Sequence, residues 1–211
     1  MIICFDLDGT LVDTQEWIVE TQIKVLKKHK IKQTKKQIYE YYGLTLTDQI
    51  KKLKPKTTKK EINNISKEFN KIRFSNTSKI KPYKNTKKIL NILSKKYSLC
   101  LVSNNSHKSI IKELNATKIN KKLFTTIVGS DEVKHPKPFP DEIYETEKRL
   151  KKKVKFMVGD TIQDIKTAKA AKVKSIIIKT GPKSTWKNLN KADFIIKDIK
   201  ELPKILKEVN K

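Results

Sequence analysis

Asp6 and Asp8 stand one residue apart, directly after the apolar run Met1-Ile2-Ile3-Cys4-Phe5. The run reads as a short buried strand, and Gly9 behind the acids supplies a turn that can aim both side chains at one point. Converging carboxylates repel each other unless a cation or a proton sits between them. The pair is therefore a metal site, an acid/base pair or both, unless it is only a polar turn closing a strand.

Three more segments deliver polar residues in the same region of a fold. Leu99-Cys100-Leu101-Val102 runs into Ser103-Asn104-Asn105, and Lys155-Phe156-Met157-Val158 runs into Gly159-Asp160-Thr161-Ile162-Gln163-Asp164. Between them, Lys137 is held in the proline-rich loop His135-Pro136-Lys137-Pro138-Phe139-Pro140. In an open parallel sheet, ligands bind in the crevice at the carboxyl ends of the strands. The inventory suits a phosphoryl group. A carboxylate can attack phosphorus, further carboxylates can bind Mg²⁺, and a hydroxyl with helix-start N–H groups can cradle phosphate oxygens. A fixed ammonium offsets charge in the transition state.

With these four segments in this order, the chain resembles the haloacid dehalogenase superfamily of hydrolases, in its phosphoglycolate phosphatase-like branch. The motifs are Asp6 to Thr10, Ser103, Lys137 and Gly159 to Asp164, and the similarity runs on to Ala192-Asp193-Phe194-Ile195-Ile196 and Glu201-Leu202. The resemblance implies a phosphoric monoester hydrolase working through an aspartyl-phosphate. It makes Asp6 the nucleophile and Asp8 the general acid and then base. Ser103 and Lys137 would bind the phosphate, with Thr10 and Asn104 as further substrate-site candidates. Mg²⁺ is the implied cofactor, held by the Asp6 carboxylate, the Asp8 backbone carbonyl, Asp160 and Asp164, the last directly or through water.

The elements that must position these residues follow from periodicity. Strands are expected near 2–5, 98–102, 126–129, 155–158, 174–178 and 193–196, and core helices near 84–96, 106–116, 140–151, 163–172 and 201–209. Alternating strand and helix gives an α/β, three-layer, Rossmann-like parallel sheet. Residues 14–79 are helical in pattern throughout: Val19, Ile23 and Leu26 recur on one face, as do Leu46, Ile50 and Leu53. Thr34 with Gln37 and Thr58 with Glu61 read as capping boxes. This stretch is similar to the family's inserted helical cap, which leaves 1–13 and 80–211 as the hydrolase core. Where the family favours glycine after the Asp164 helix, this chain has Lys172.

The chain has 211 residues and a formal net charge of +27, and all but two of its basic residues, Arg73 and Arg149, are lysine. Nucleic-acid readers favour arginine for bidentate contacts, and these lysines are spread as doublets over helix faces. Dedicated nucleic-acid binding is therefore disfavoured against a small phosphorylated metabolite as partner. A nucleotide or nucleic-acid-end phosphatase, and a lysine-rich binding protein on the same scaffold, are the alternatives. A phosphosugar mutase is disfavoured because Ile18 stands where such mutases carry a cap histidine, and a dehalogenase because Asp8 is present. No apolar stretch is long enough to span a membrane, and the first apolar residues read as a core strand, so a cytoplasmic location is expected. Cys4 and Cys100 are expected to be buried and reduced. His29, His107 and His135 show no metal-binding spacing; Trp17 and Trp186 read first as packing residues, and Trp17, at the start of the first insert helix, is the one placed to influence substrate choice.

Overall fold

The computed structural model describes residues 1–180, 186 and 188–209. Its strands are β1 (Ile2–Phe5), β2 (Val12–Asp13), β3 (Lys81–Pro82), β4 (Ser98–Ser103), β5 (Phe124–Gly129), β6 (Val154–Gly159), β7 (Lys174–Ile178) and β8 (Phe194–Ile196). Six of them form a parallel sheet in the order β5-β4-β1-β6-β7-β8. After β1 the chain builds outward through β4 and β5, then returns to the other side of β1 for β6. The gap between β1 and β6 is the topological switch point, where such sheets bind ligands.

β1 is buried along its whole length, as a central strand covered on both faces must be. Its residues alternate between two cores. Ile3 and Phe5 pack with α5 (Thr86–Ser94), α6 (His107–Thr117) and α9 (Leu202–Glu208) through Leu90, Leu114 and Leu206. Ile2 and Cys4 pack with α7 (Asp141–Leu150) and α8 (Ile162–Ala170) through Ile143 and Ala168. This is the expected three-layer α/β sandwich. Cys4 and Cys100 are register partners on β1 and β4, both buried and free.

Between β2 and β3 lie four consecutive helices, α1 (Gln15–Lys28), α2 (Lys35–Glu40), α3 (Leu46–Leu53) and α4 (Lys59–Ser75). The Thr34–Gln37 and Thr58–Glu61 capping boxes both form, each threonine accepting from the N3 backbone. These helices bury their own cluster of Val25, Leu26, Ile50, Ile62, Ile65 and Phe69, separate from the sheet's. The sequence offers no strand signal for β2 or β3. They pair antiparallel, Val12 with Pro82 and Asp13 with Lys81, and so hold together the chain's exit into the helices and its return. Among the described residues no helix is long and apolar enough to cross a membrane.

Helix ends carry an unusual substitution. Lys172 has φ +57, and the bonds Lys172 N–H to Lys169 and Val173 N–H to Ala168 complete a Schellman motif. Lys30 and Lys118 repeat the pattern, with φ of 56 and 53. Glycine takes this left-handed region without the Cβ clash. Lysine does so at a cost on the order of 1 kcal/mol, in a chain that has only five glycines to place. Lys172→Gly should therefore raise stability by about 1 kcal/mol, read as a higher urea midpoint. An unchanged or lower midpoint would count against strain at that turn.

Candidate active site

The sheet delivers the expected acids to its switch point. Asp6 leaves β1 with its N–H bonded to the Val158 carbonyl at 2.8 Å. The turn beyond it places Gly9 at φ +80, where an added Cβ would collide with the Asp160 carboxylate. Gly9 is thus required both by its backbone angle and by the closeness of the two strand ends. Asp160 and Asp164 come from the far side of the gap, where Thr161 caps α8 and Asp164 Oδ2 accepts from the Thr161 backbone at 3.0 Å. Carboxylate oxygens of Asp6, Asp160 and Asp164, all buried, lie within 4.8 Å of one another.

Lys137 reaches into this cluster, its Nζ 2.6 Å from Asp6 Oδ1 and 2.8 Å from Asp164 Oδ1. Burial opposes its charge, but Asp164 and Asp6 outweigh that and hold the ammonium well above the usual lysine range. The balance still leaves too much negative charge. The Asp6 carboxyl is pushed up to about 7, chiefly by burial, with Lys137 pulling it back and Asp164 adding repulsion. Asp160 is raised by burial and by Asp6 and Asp164. A donor set of hard, crowded oxygens short of positive charge fits Mg²⁺ or a similar divalent cation.

The remaining expected residues divide by position. Ser103 ends β4, buried, beside the same pocket as Asp6 and Lys137. Asn104 lines that pocket, but its amide donates to the carbonyls of Gly43 at 2.6 Å and Lys137 at 2.9 Å. It thereby ties the loop between α2 and α3 to the lysine loop. Thr10 donates to Asp160 Oδ1 at 2.8 Å and so supports the acid cluster. Trp17 does not line the pocket; its indole donates to the Arg73 carbonyl at 3.1 Å. His107 and His135 pair with Glu132 and Asp141 on the surface.

Asp8 differs from expectation. A group that gives and then takes a proton works best with a pKa near working pH. Burial alone would raise the Asp8 carboxyl, yet Arg73, Thr14 and Asn105 together bring it below the usual carboxylate range. Arg73 Nη2 is 2.6 Å from Asp8 Oδ1 and Asn105 Nδ2 is 2.5 Å from Oδ2. Sequence reasoning missed Arg73, Glu113 and Glu142, although Arg73 was visible as one of two arginines among lysines. Above Asp6 and Asp8 the pocket is small, about 80 Å³. The helical segment contributes Ile18, Gln22, Tyr42, Leu44, Gln49 and Phe69 to its wall.

Residues 3–178 match the profile of the haloacid dehalogenase-like hydrolase family. The chain belongs to that family, and it is a hydrolase. Pyrophosphatase PpaX of Oceanobacillus iheyensis is 29% identical to this haloacid dehalogenase-like hydrolase over 95% of this chain and 94% of its own. PpaX of Bacillus mycoides is 24% identical over 99% and 97%. Among solved structures, a hydrolase from Pseudomonas syringae superimposes with a TM-score of 0.86 at 21% identity, covering 99% of each chain. CbbY from Rhodobacter sphaeroides, in complex with phosphate, does so at 0.80 and 16% identity, covering 95% of each. At these identities the two structures speak for the fold.

Two buried glutamates, Glu113 and Glu142, lie outside the cluster. Glu142, on α7, is fully buried, and among the described residues its carboxylate meets the Lys137 backbone and no side-chain donor. Burial pushes its carboxyl up to about 8, with Lys137 pulling it back. An unfolded glutamate titrates near pH 4.3, so the folded value is the higher one. Glu142's contribution to stability is then full below about pH 4 and lost as pH rises through about 8. Glu142→Gln keeps the shape and removes the titration. Its melting temperature should exceed that of the parent by more at pH 8 than at pH 5, and an equal difference at both would sink the assignment.

Proposed function

We propose that this hydrolase is a Mg²⁺-dependent phosphatase of small phosphomonoesters, acting through an aspartyl-phosphate on Asp6. The observation that carries the reading is the Lys137 ammonium 2.6 Å from Asp6, with Ser103 and the Asp160–Asp164 pair at the same strand ends. Asp6 attacks phosphorus as the bond to the leaving oxygen breaks, and Asp8 donates the proton that oxygen needs. Asp8 then takes a proton from water, whose oxygen attacks phosphorus and frees Asp6. Lys137 and Ser103 hold the phosphoryl oxygens throughout. Mg²⁺, held by Asp6, the Asp8 carbonyl, Asp160 and Asp164, would neutralise charge on the transferring group.

Residues 14–79 act in this reading as a cap over the core of 1–13 and 80–211, excluding water and shaping the leaving-group pocket. A pocket of about 80 Å³ has room for only a few water molecules, which favours a small leaving group over a nucleoside. Pyrophosphate is a second candidate, favoured by the full-length similarity to the PpaX proteins.

A Mg²⁺-containing screen of 2-phosphoglycolate, sugar phosphates, nucleotides and pyrophosphate should give turnover on at least one small compound. EDTA should abolish that turnover, Mg²⁺ should restore it, and Ca²⁺ should do so poorly because it relaxes octahedral geometry. Full turnover by metal-free protein would overturn the reading. The two acids separate in a second experiment. Asp6→Asn should form no phosphoenzyme with any substrate. Asp8→Asn should still become phosphorylated by a substrate whose leaving group needs no proton, and the label should then persist on Asp6 in quenched-flow mass spectrometry. Label on Asp8 would reverse the roles.

A further inference from the structure

Arg73 is 1% exposed and sits in the last turn of α4, the helix that leads back into the core. Its Nη2 lies 2.6 Å from Asp8 Oδ1 and 2.5 Å from Glu113 Oε1, and Nη1 donates to Asn105 Oδ1 at 3.1 Å. The Phe69 and Phe74 rings flank the guanidinium at 5.9 and 5.5 Å, and Trp17 binds its carbonyl. Glu113, fully buried on core helix α6, also accepts from Asn105 Nδ2 at 3.3 Å. Nη2 meets both acids while Nη1 reaches Asn105, so the planar fork holds three partners in fixed directions. In a chain whose other cations are nearly all lysine, an arginine stands where that fork is needed.

We propose that Arg73 is the positioning residue for Asp8. Anchored on Glu113, its guanidinium fixes the Asp8 carboxylate and makes proton transfer depend on α4 being seated. Asp8 Oδ1 receives Arg73 and Thr14 while Oδ2 receives Asn105. Arg73 and Thr14, the residue that opens α1, belong to the helical segment and Asn105 to the core, so α4 contributes directly to the orientation of the acid. The proposal rests on the phosphatase reading and on Asp8 as its acid and base. The competing role for a pocket arginine is to receive an anionic part of the substrate.

The test uses 4-nitrophenyl phosphate, whose leaving group departs without a proton, with Mg²⁺ and the full chain. Arg73→Lys keeps the charge and loses the fork. The double variant Arg73→Met with Glu113→Leu removes the pair without leaving a buried charge alone. In each folded variant the burst of 4-nitrophenolate, which reports phosphorylation of Asp6, should stay within about threefold of the parent. Steady-state turnover, which needs Asp8 as base, should fall by about a hundredfold, the scale of a misplaced catalytic group. KM should fall along with kcat, because kcat/KM is set by the phosphorylation step and should stay near the parent value. Equal loss of burst and turnover would reveal a structural role, and a raised KM with unchanged kcat would reveal a substrate contact. Either overturns the proposal, as does unchanged turnover. Absence of any phosphoester turnover by the parent would instead defeat the phosphatase reading.

Discussion

The crowding of buried carboxylates at one end of the sheet is the constraint on which the rest of the structure depends. Asp6, Asp160 and Asp164 lie within 4.8 Å of one another, in surroundings where burial alone raises Asp6 and Asp160. Such a cluster persists only because cations are built in beside it and because the fold leaves it nowhere to relax. Lys137 bridges two members. Gly159 lets Asp164 fold back over the end of β6, since a Cβ there would collide with the Asp164 carboxyl. Gly9 does the same for Asp160. What looks like a loop motif is thus a packing solution for acids that repel each other, and the same shortage of positive charge makes the site a fit for a divalent cation.

The switch point explains why these residues converge although they lie far apart in sequence. Because β4 and β6 flank β1 on opposite sides, the chain segments after these three strands open into one crevice. The helical segment closes over it from β2 and β3, with polar attachments to the core that include Gly43 to Asn104, Arg73 to Asp8, Thr14 to Asp8 and Gln15 to Asp160. A lid that moved would have to break these bonds. Closure of α4 and the state of Asp8 are therefore physically linked, whatever the substrate.

Local patterns made much of this legible. The strands are short apolar runs, and two predicted capping boxes formed as written, because a threonine followed three residues later by Gln or Glu satisfies helix-end donors wherever the helix sits. The acid cluster was legible because its spacing is set by strand ends. What stayed hidden depends on distant pairing. Lys81-Pro82 has no strand pattern and becomes one only opposite Val12-Asp13. Glu113 reads as an ordinary polar helix residue, and nothing local tells that it faces an arginine forty residues earlier in the chain. The lowering of the Asp8 carboxyl stayed hidden because the sequence shows its neighbours along the chain and not the guanidinium across the pocket.

The lysines are the last piece, and their location assigns them. The net charge is +27, yet among the described residues the pocket is lined by two cations, Lys137 and Arg73, and both are paired with buried acids. The other described lysines lie outside that lining. Several end helices in the left-handed conformation, where charge matters less than the absence of glycine. What they share is a field: a strongly positive surface draws anions toward the protein without regard to their identity, and salt screens it over about 10 Å at 0.1 M. An anion drawn by that field would meet a different kind of surface in the pocket, the mostly uncharged wall of Ile18, Gln22, Tyr42, Leu44, Gln49 and Phe69. Long-range charge and short-range contact thus lie on different residues, which is why the composition of the chain points to anions in general and says nothing of which one.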